Sequence, residues 1–336
     1  KMMEMHCNLI DYERVVDDQG RRQIFFGRYA GLAGMINSLW SMGLRLKEAG
    51  YDTPFLQIKQ AHHYSSLAEA RLAISKAGQQ IAENGLPDAL TPFTVAFTGY
   101  GNVSQGAQEI IGLLPVIEIS PDELLSLKKR SKIPDNLIYK IVFREEHLVE
   151  PIEPGIEFDL QDYYTEPEKF RSAFEKYIPH IDMMINCVYW DIRYPRLVTK
   201  DYLQQLFAKG TPKLKVIGDI SCDVNGSVEC TDKGTEIEDP IFVYHPDTRT
   251  HTMGHKGEGL LVMAVDILPS ELPRDSSAGF ADVLINYVKS IADCDFSDDF
   301  LNLDLPFAIR SALILHRGEL TPHYKYLEEY VSMESN

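Results

Sequence analysis

The residues whose types and spacing point most directly to chemistry lie in the stretch 92–109, PFTVAFTGYGNVSQGAQE. An apolar run at 93–97 breaks at Gly99-Tyr100-Gly101-Asn102, and a helix-like segment opens at Ser104. In a strand–turn–helix of this kind, Gly99 and Gly101 let the backbone approach a pyrophosphate. The free N–H groups and positive dipole end of the helix then receive its charge. Gly99, Gly101 and Gly106 read G-x-G-x-x-x-x-G rather than G-x-G-x-x-G, so a ligand-free turn of an α/β domain is the alternative.

Further candidates stand at the ends of apolar runs. MMINCVYW at 183–190 and LKVIGDISCDVNGS at 214–227 read as parallel strands, and ligands gather at the carboxyl ends of such strands. That places Asn186, Tyr189, Ile220, Ser221, Cys222 and Asp223 in a candidate crevice, with Asp223 equally able to serve as a turn residue. A third apolar run, within 255–277, ends near Asp266. After the glycine turn, 115–120 (PVIEIS) reads as the second parallel strand. Its last residue, Ser120, would face an adenosine ribose, where a small side chain leaves room for a 2′-phosphate and a carboxylate would accept from a free 2′-hydroxyl. Asp122 and Glu123 follow closely and keep both cofactors in play. Arg21 and Arg22 stand on an expected strand, 21–27, after the turn Asp17-Asp18-Gln19-Gly20, where an exposed pair is commonly just solvated. His62 and His63 lack a third ligand at a telling spacing, so no metal site is expected.

These residues need an α/β scaffold, and strand–helix–strand rhythm supplies one with a parallel sheet. Small and apolar residues from 29 read as a helix ending at Gly50, with Gly31, Gly34 and Gly43 marking close packing. A second helix spans about 66–84. Residues 121–180 read as an insertion containing a strand at 137–143 and a helix at 167–177. The expected domains are 1–50 as the remainder of a substrate domain, 51–275 as a dinucleotide-binding domain, and 276–336 as a return to the first.

The chain has 336 residues and a net charge of −17, from 33 basic and 50 acidic side chains. With no cluster of cations a nucleic-acid partner is not expected. No apolar run is long enough for a bilayer span, and five cysteines without a C-x-x-C pair fit reduced thiols in a soluble intracellular protein.

Four blocks resemble one family in its order: LIDYERVVDDQGRRQIFFGRYAGLAGM, FTGYGNVSQGAQEI, INCVYWDIRYPRL with GDISCDVNGSVE, and VDILPSELPRDSS. Together they resemble the lysine–ketoglutarate reductase portion of the bifunctional aminoadipic semialdehyde synthases. More distantly they resemble fungal-type saccharopine dehydrogenases and alanine dehydrogenase. The resemblance implies two Rossmann-like domains with a cleft between them, and a cytoplasmic or mitochondrial matrix protein fused to or associated with a glutamate-forming saccharopine dehydrogenase domain. It implies the NADPH- or NADH-dependent condensation of lysine with 2-oxoglutarate to saccharopine, with NADP(H) preferred over NAD(H).

It also implies roles. Arg22 would grip a substrate carboxylate beside Phe26, Ser221, Cys222 and Asp223. Arg21, Gly99, Gly101, Asn102, Val103, Ser120, Tyr189, Ile220 and the run Val265, Asp266, Ile267, Leu268 would contact the cofactor. Glu13 would tune the pKa values of nearby catalytic groups. In that family the acid–base lysine and histidine precede the DYE motif, and Lys1 and His6 do not stand at matching positions. The chain is then either a fragment of a longer reductase or a short form that binds ligands without efficient turnover. An alanine-dehydrogenase-like amino-acid enzyme is a third alternative.

Overall fold

The chain enters on a two-residue strand, β1 (Leu9–Ile10), and a single turn of 3-10 helix at Tyr12–Arg14 in the computed structural model, which describes residues 1–333. The expected strand at 21–27 does not form; only an isolated antiparallel bridge joins Val16 and Arg22. Its cause is local. The Asp17 carboxylate accepts the N–H groups of Gln19 (3.0 Å) and Arg21 (2.9 Å), and Gly20 takes φ +75°, so the chain is held in a tight turn where a ladder would need extended backbone.

Helix α1 (Gly27–Glu48) is where the small residues matter. A Cβ on Gly31 would lie 1.9 Å from the Val103 carbonyl oxygen, and one on Gly34 would lie 2.6 Å from the Ile220 side chain. The helix ends as its sequence predicts, at Gly50 with φ +88°, whose N–H donates to the Lys47 carbonyl (2.9 Å). Helix α2 (Leu67–Asn84) starts at Ser66, whose hydroxyl accepts from the Glu69 N–H, and stops at Gly85.

The strands follow as β2 (Phe93–Thr98), β3 (Val116–Glu118), β4 (Ile138–Phe143), a separate antiparallel pair β5 (Val149–Pro151) and β6 (Phe170–Ser172), then β7 (Met183–Asn186), β8 (Val216–Asp219), β9 (Ile241–His245), β10 (Thr250–Met253) and β11 (Leu260–Met263). One sheet has the order β10-β9-β11-β8-β7-β2-β4-β3. The ladders from β3 to β11 along this order are parallel, and β9 and β10 are attached antiparallel at one side. Strands β2, β7, β8 and β11 are buried at every position, as expected when both faces of a sheet are covered. Alternate side chains feed two cores: Val95 and Phe97 pack with Leu32, Ile36 and Phe55, whereas Ala96 packs with Ile141, Phe143 and Met184.

Three expectations change here. The helix expected at 167–177 is instead a 3-10 turn at Pro167–Lys169, strand β6 and a second 3-10 turn at Phe174–Lys176, because Phe170–Ser172 pairs with β5. The run ending at Phe143, expected inside an insertion, is strand β4 of the main sheet, and it lies between β2 and β3. Helix α1, expected within the 1–50 portion of a substrate domain, belongs to the unit Gly27–Pro273 that contains this sheet, because its buried face packs on α3 (Asn102–Ile111) and β8.

A second unit combines Lys1–Phe26 with the segment from Arg274. Its sheet is antiparallel, in the order β1-β12-β13, with β12 (Leu313–His316) and β13 (Glu319–Leu320). Val15, Ile24, Leu303, Ile309 and Leu313 form its core. The last three residues of the expected 276–336 segment lie outside the described residues. No helix among the described residues is long and apolar enough to cross a membrane.

Candidate functional site

The glycine turn forms as strand, turn and helix. Gly99 has φ +84°, which only glycine adopts at little cost, and its N–H donates to the Phe143 carbonyl at 3.0 Å. Gly101 is the N-cap of α3 and provides no side-chain acceptor, so the cap leaves Asn102 and Val103 in the first turn without a side-chain partner for their N–H groups. A Cβ built on Gly101 would meet nothing within 4 Å, so open space stands directly at this helix start. The geometry fits a dinucleotide pyrophosphate: a ten-residue helix points its uncapped N-terminus into free volume. Gly106, the third glycine, serves packing. Its Cβ position lies 2.1 Å from the Arg28 carbonyl oxygen, so α3 rests on α1 backbone to backbone.

Because β2, β7, β8 and β11 are parallel neighbours, their carboxyl ends lie on one side of the sheet. This gathers Gly99 to Val103, Tyr189, Ile220 to Asp223 and Val265 to Leu268, residues far apart in the chain. Tyr189 is 81% exposed, and Asp266 and Ile267 are also open to solvent, while Ile220, Val265 and Leu268 are buried against the core. Ser221 donates its hydroxyl to the Val188 carbonyl (2.6 Å). Asp223 is half-buried, which raises its carboxyl, and its backbone carbonyl accepts from Gly226 in a turn.

A polar network beneath these loops holds the strand ends in register, and its key residue, Asp219, was not singled out from the sequence. Thr98 donates to the Asn186 side chain (2.8 Å), and Asn186 donates to Asp219 (2.8 Å) and to Ser227 (2.9 Å). Thr231 and the Cys222 N–H also donate to Asp219 (2.6 and 3.2 Å). Burial pushes the Asp219 carboxyl up to about 6 in spite of these donors. Burial, with Asp219 beside it, pushes the Cys222 thiol up to about 12, and its sulfur lies 2.9 Å from the Ala264 carbonyl. Cys222 is therefore a neutral donor at physiological pH and not a nucleophile. The available signal was one polar residue closing each otherwise apolar strand.

Ser120 is placed differently from the expectation. It follows β3, the outermost strand, and is separated from the glycine-turn strand by β4. Its hydroxyl accepts from the Glu123 N–H (3.2 Å) and its own N–H donates to Glu123 (2.9 Å), so it caps a short helix, α4 (Pro121–Ser126). On the β4 side of Gly99 the residue that leaves the sheet is Arg144, which the amino-acid order did not single out, and on the β7 side it is Cys187.

In the second unit, Glu13, Arg14, Val16, Arg22, Phe307, Ser311, His323 and Tyr324 line a pocket of about 590 Å³. Arg22 is 3.2 Å from Glu13 and donates its Nε to the Ile24 carbonyl (2.8 Å), so the expected substrate arginine and the expected tuning acid share this pocket. Phe26 packs in an aromatic cluster with Phe280 and Tyr12, at 5.8 and 6.2 Å between ring centroids. Arg21 is largely exposed and pairs with Asp17 (2.8 Å). Among the described residues no group of three or more His, Cys, Asp or Glu side chains is arranged to hold a metal ion.

Residues 143–323 match the family described as Alanine dehydrogenase/PNT, C-terminal domain. The chain belongs to this family. Of proteins similar to this family member, the alpha-aminoadipic semialdehyde synthase of Arabidopsis thaliana is 39% identical over 97% of the chain, which spans only 31% of that protein. The saccharopine dehydrogenase (NAD(+), L-lysine-forming) of Emericella nidulans is 25% identical over 85% of the chain and 62% of its own length. A solved L-alanine dehydrogenase superposes with a TM-score of 0.53 at 16% identity, covering 98% of this chain and 71% of that one, a likeness of fold.

Proposed function

We propose that this chain is the dinucleotide-binding portion, with part of the substrate-binding portion, of a lysine-degradation oxidoreductase. In the reaction proposed, the ε-amine of L-lysine condenses with 2-oxoglutarate, and the product after reduction is saccharopine. The bound nicotinamide cofactor supplies the hydride for that reduction. The observation that carries the reading is the uncapped start of α3 at Gly101, opening onto free space beside the converging ends of β2, β7, β8 and β11. The similarity to the plant semialdehyde synthase along 97% of the chain supports the choice of substrates. Asn102 and Val103 would hold the pyrophosphate with backbone N–H groups. Tyr189, Ile220 and the run Val265, Asp266, Ile267, Leu268 would line the nicotinamide half. Ser221, Cys222 and Asp223 would border a substrate, and Arg22 and Phe26, in the second unit, are proposed as substrate-binding residues.

Gly101→Asp tests the reading. Aspartate is a favoured N-cap residue and Gly101 has φ −72°, so the fold is expected to survive while the added charge repels the pyrophosphate. Calorimetric titration should show NADPH binding to the unaltered chain and none to the variant. Equal affinity in both would overturn the site. Turnover with pyruvate and ammonia in place of lysine and 2-oxoglutarate would overturn the substrate class.

A further inference from the structure

In a doubly wound sheet, the residue leaving the strand next to the glycine-turn strand is the one that faces the adenosine ribose. Strand β2 has two parallel neighbours, β7 and β4. On the side to which the chain first crosses after the glycine turn, where β3 lies, that neighbour is β4, paired so that Thr98 stands opposite Phe143, and the Gly99 N–H bonds to the Phe143 carbonyl at 3.0 Å. The next residue is Arg144. Ser120 is one strand farther out, about 10 Å from β2 at the usual inter-strand spacing, and its hydroxyl is occupied at the start of α4.

The side chains around Arg144 suit an anion. Its guanidinium lies over the ring of Tyr100, 4.6 Å from the centroid, and Tyr100 is the residue between the two glycines of the turn. Stacking fixes the plane of the guanidinium while leaving its N–H edge in solvent, and Arg144 is exposed. It forms no ion pair among the described residues. The adjacent carboxylate, Glu145, is held instead by two phenols: Tyr164 donates to it at 2.8 Å, and the Tyr100 hydroxyl lies 3.4 Å away. The neighbouring acid in the chain is thus turned to tyrosines, and the arginine has no carboxylate within ion-pair distance among the described residues.

We infer that Arg144, stacked on Tyr100, receives the 2′-phosphate of the adenosine ribose and makes this chain selective for the phosphorylated dinucleotide. The inference rests on the proposed function in one respect, that the glycine turn binds a dinucleotide. A bidentate guanidinium–phosphate contact is charge-assisted and specific to the phosphorylated cofactor, whereas NADH offers only a neutral 2′-hydroxyl at the same place.

The test is equilibrium binding, independent of turnover. NADPH and NADH are titrated by calorimetry into the unaltered chain, Arg144→Ala and Ser120→Asp, and 2′,5′-ADP is used as a competitor that carries the phosphate without the nicotinamide. Arg144→Ala is expected to weaken NADPH and 2′,5′-ADP by at least about tenfold while NADH changes by less than about threefold. Equal weakening of both cofactors would make Arg144 a support of the turn and overturn the inference. An unaltered chain that prefers NADH would also overturn it and transfer the ribose contact to Glu145. Loss of NADPH preference in Ser120→Asp would return the role to Ser120. If neither cofactor binds the unaltered chain, the glycine-turn reading fails as well, an outcome distinct from selective failure at Arg144.

Discussion

Replacing Gly106 by alanine probes the contact that positions the glycine turn. The added carbon would lie 2.1 Å from the Arg28 carbonyl oxygen, 3.0 Å from its carbon and 3.1 Å from the Leu32 nitrogen. All three are backbone atoms of α1, so no side chain can swing away. Non-bonded atoms settle at about 3.5 Å or more, and α1 and α3 must therefore part by roughly 1 Å. Over-packing of this kind costs about 1–3 kcal/mol, and a rigid backbone neighbour argues for the upper end. Alanine offsets about 1 kcal/mol of that through its better helix propensity. The expected net loss is about 2 kcal/mol, read from the midpoint of urea unfolding at unchanged slope. A midpoint equal to or above that of the unaltered chain would refute the reasoning. Gly31→Ala attacks the same crossing from the other helix, with its Cβ 1.9 Å from the Val103 oxygen. Once one substitution has separated the helices the second has less to do, so the double variant should lose less than the sum of the two.

Two further outcomes are expected. Burial raises the Asp219 carboxyl from 3.8 to about 6, so the folded state binds this proton more tightly than the unfolded chain. Its contribution is fully present below about pH 4 and is lost as pH rises through about 6, a change of roughly 3 kcal/mol. Asp219→Asn keeps an acceptor for Asn186 and Cys222 but cannot ionise. Its stability relative to the unaltered chain should therefore climb between pH 4 and 7 in denaturant titrations, and a pH-independent difference would show that the carboxyl does not titrate there. Arg22→Ala is expected to leave NADPH affinity unchanged and to weaken saccharopine binding at least about thirtyfold, because a clamped carboxylate loses its partner. Equal saccharopine affinity by calorimetry would return Arg22 to an ordinary surface charge paired with Glu13.

Local features were legible in the amino-acid order because local physics makes them. The apolar run before Gly99, the glycine-permitted φ there, the small residues of α1, the Gly50 stop and the Ser66 cap each depend on residues within a few positions. The clustering of Gly99, Tyr189, Ile220 and Val265 was also accessible, since each follows a predominantly apolar run and such runs become parallel strands buried on both faces. The strand neighbours were not. An apolar strand such as Ile138–Phe143 has the same pattern at an edge or beside β2, and only pairing across the folded sheet placed it between β2 and β3. That single insertion makes Arg144, and not Ser120, the residue that follows the strand paired with β2 on this side. The same holds for Asp219: an aspartate at a strand end reads as a turn residue, and it became a buried acceptor because Thr231 and Asn186, from two separate segments, converge on it beside the local Cys222 N–H. Long-range hydrogen bonds of that kind depend on which segments meet in space, which only the assembled sheet decides.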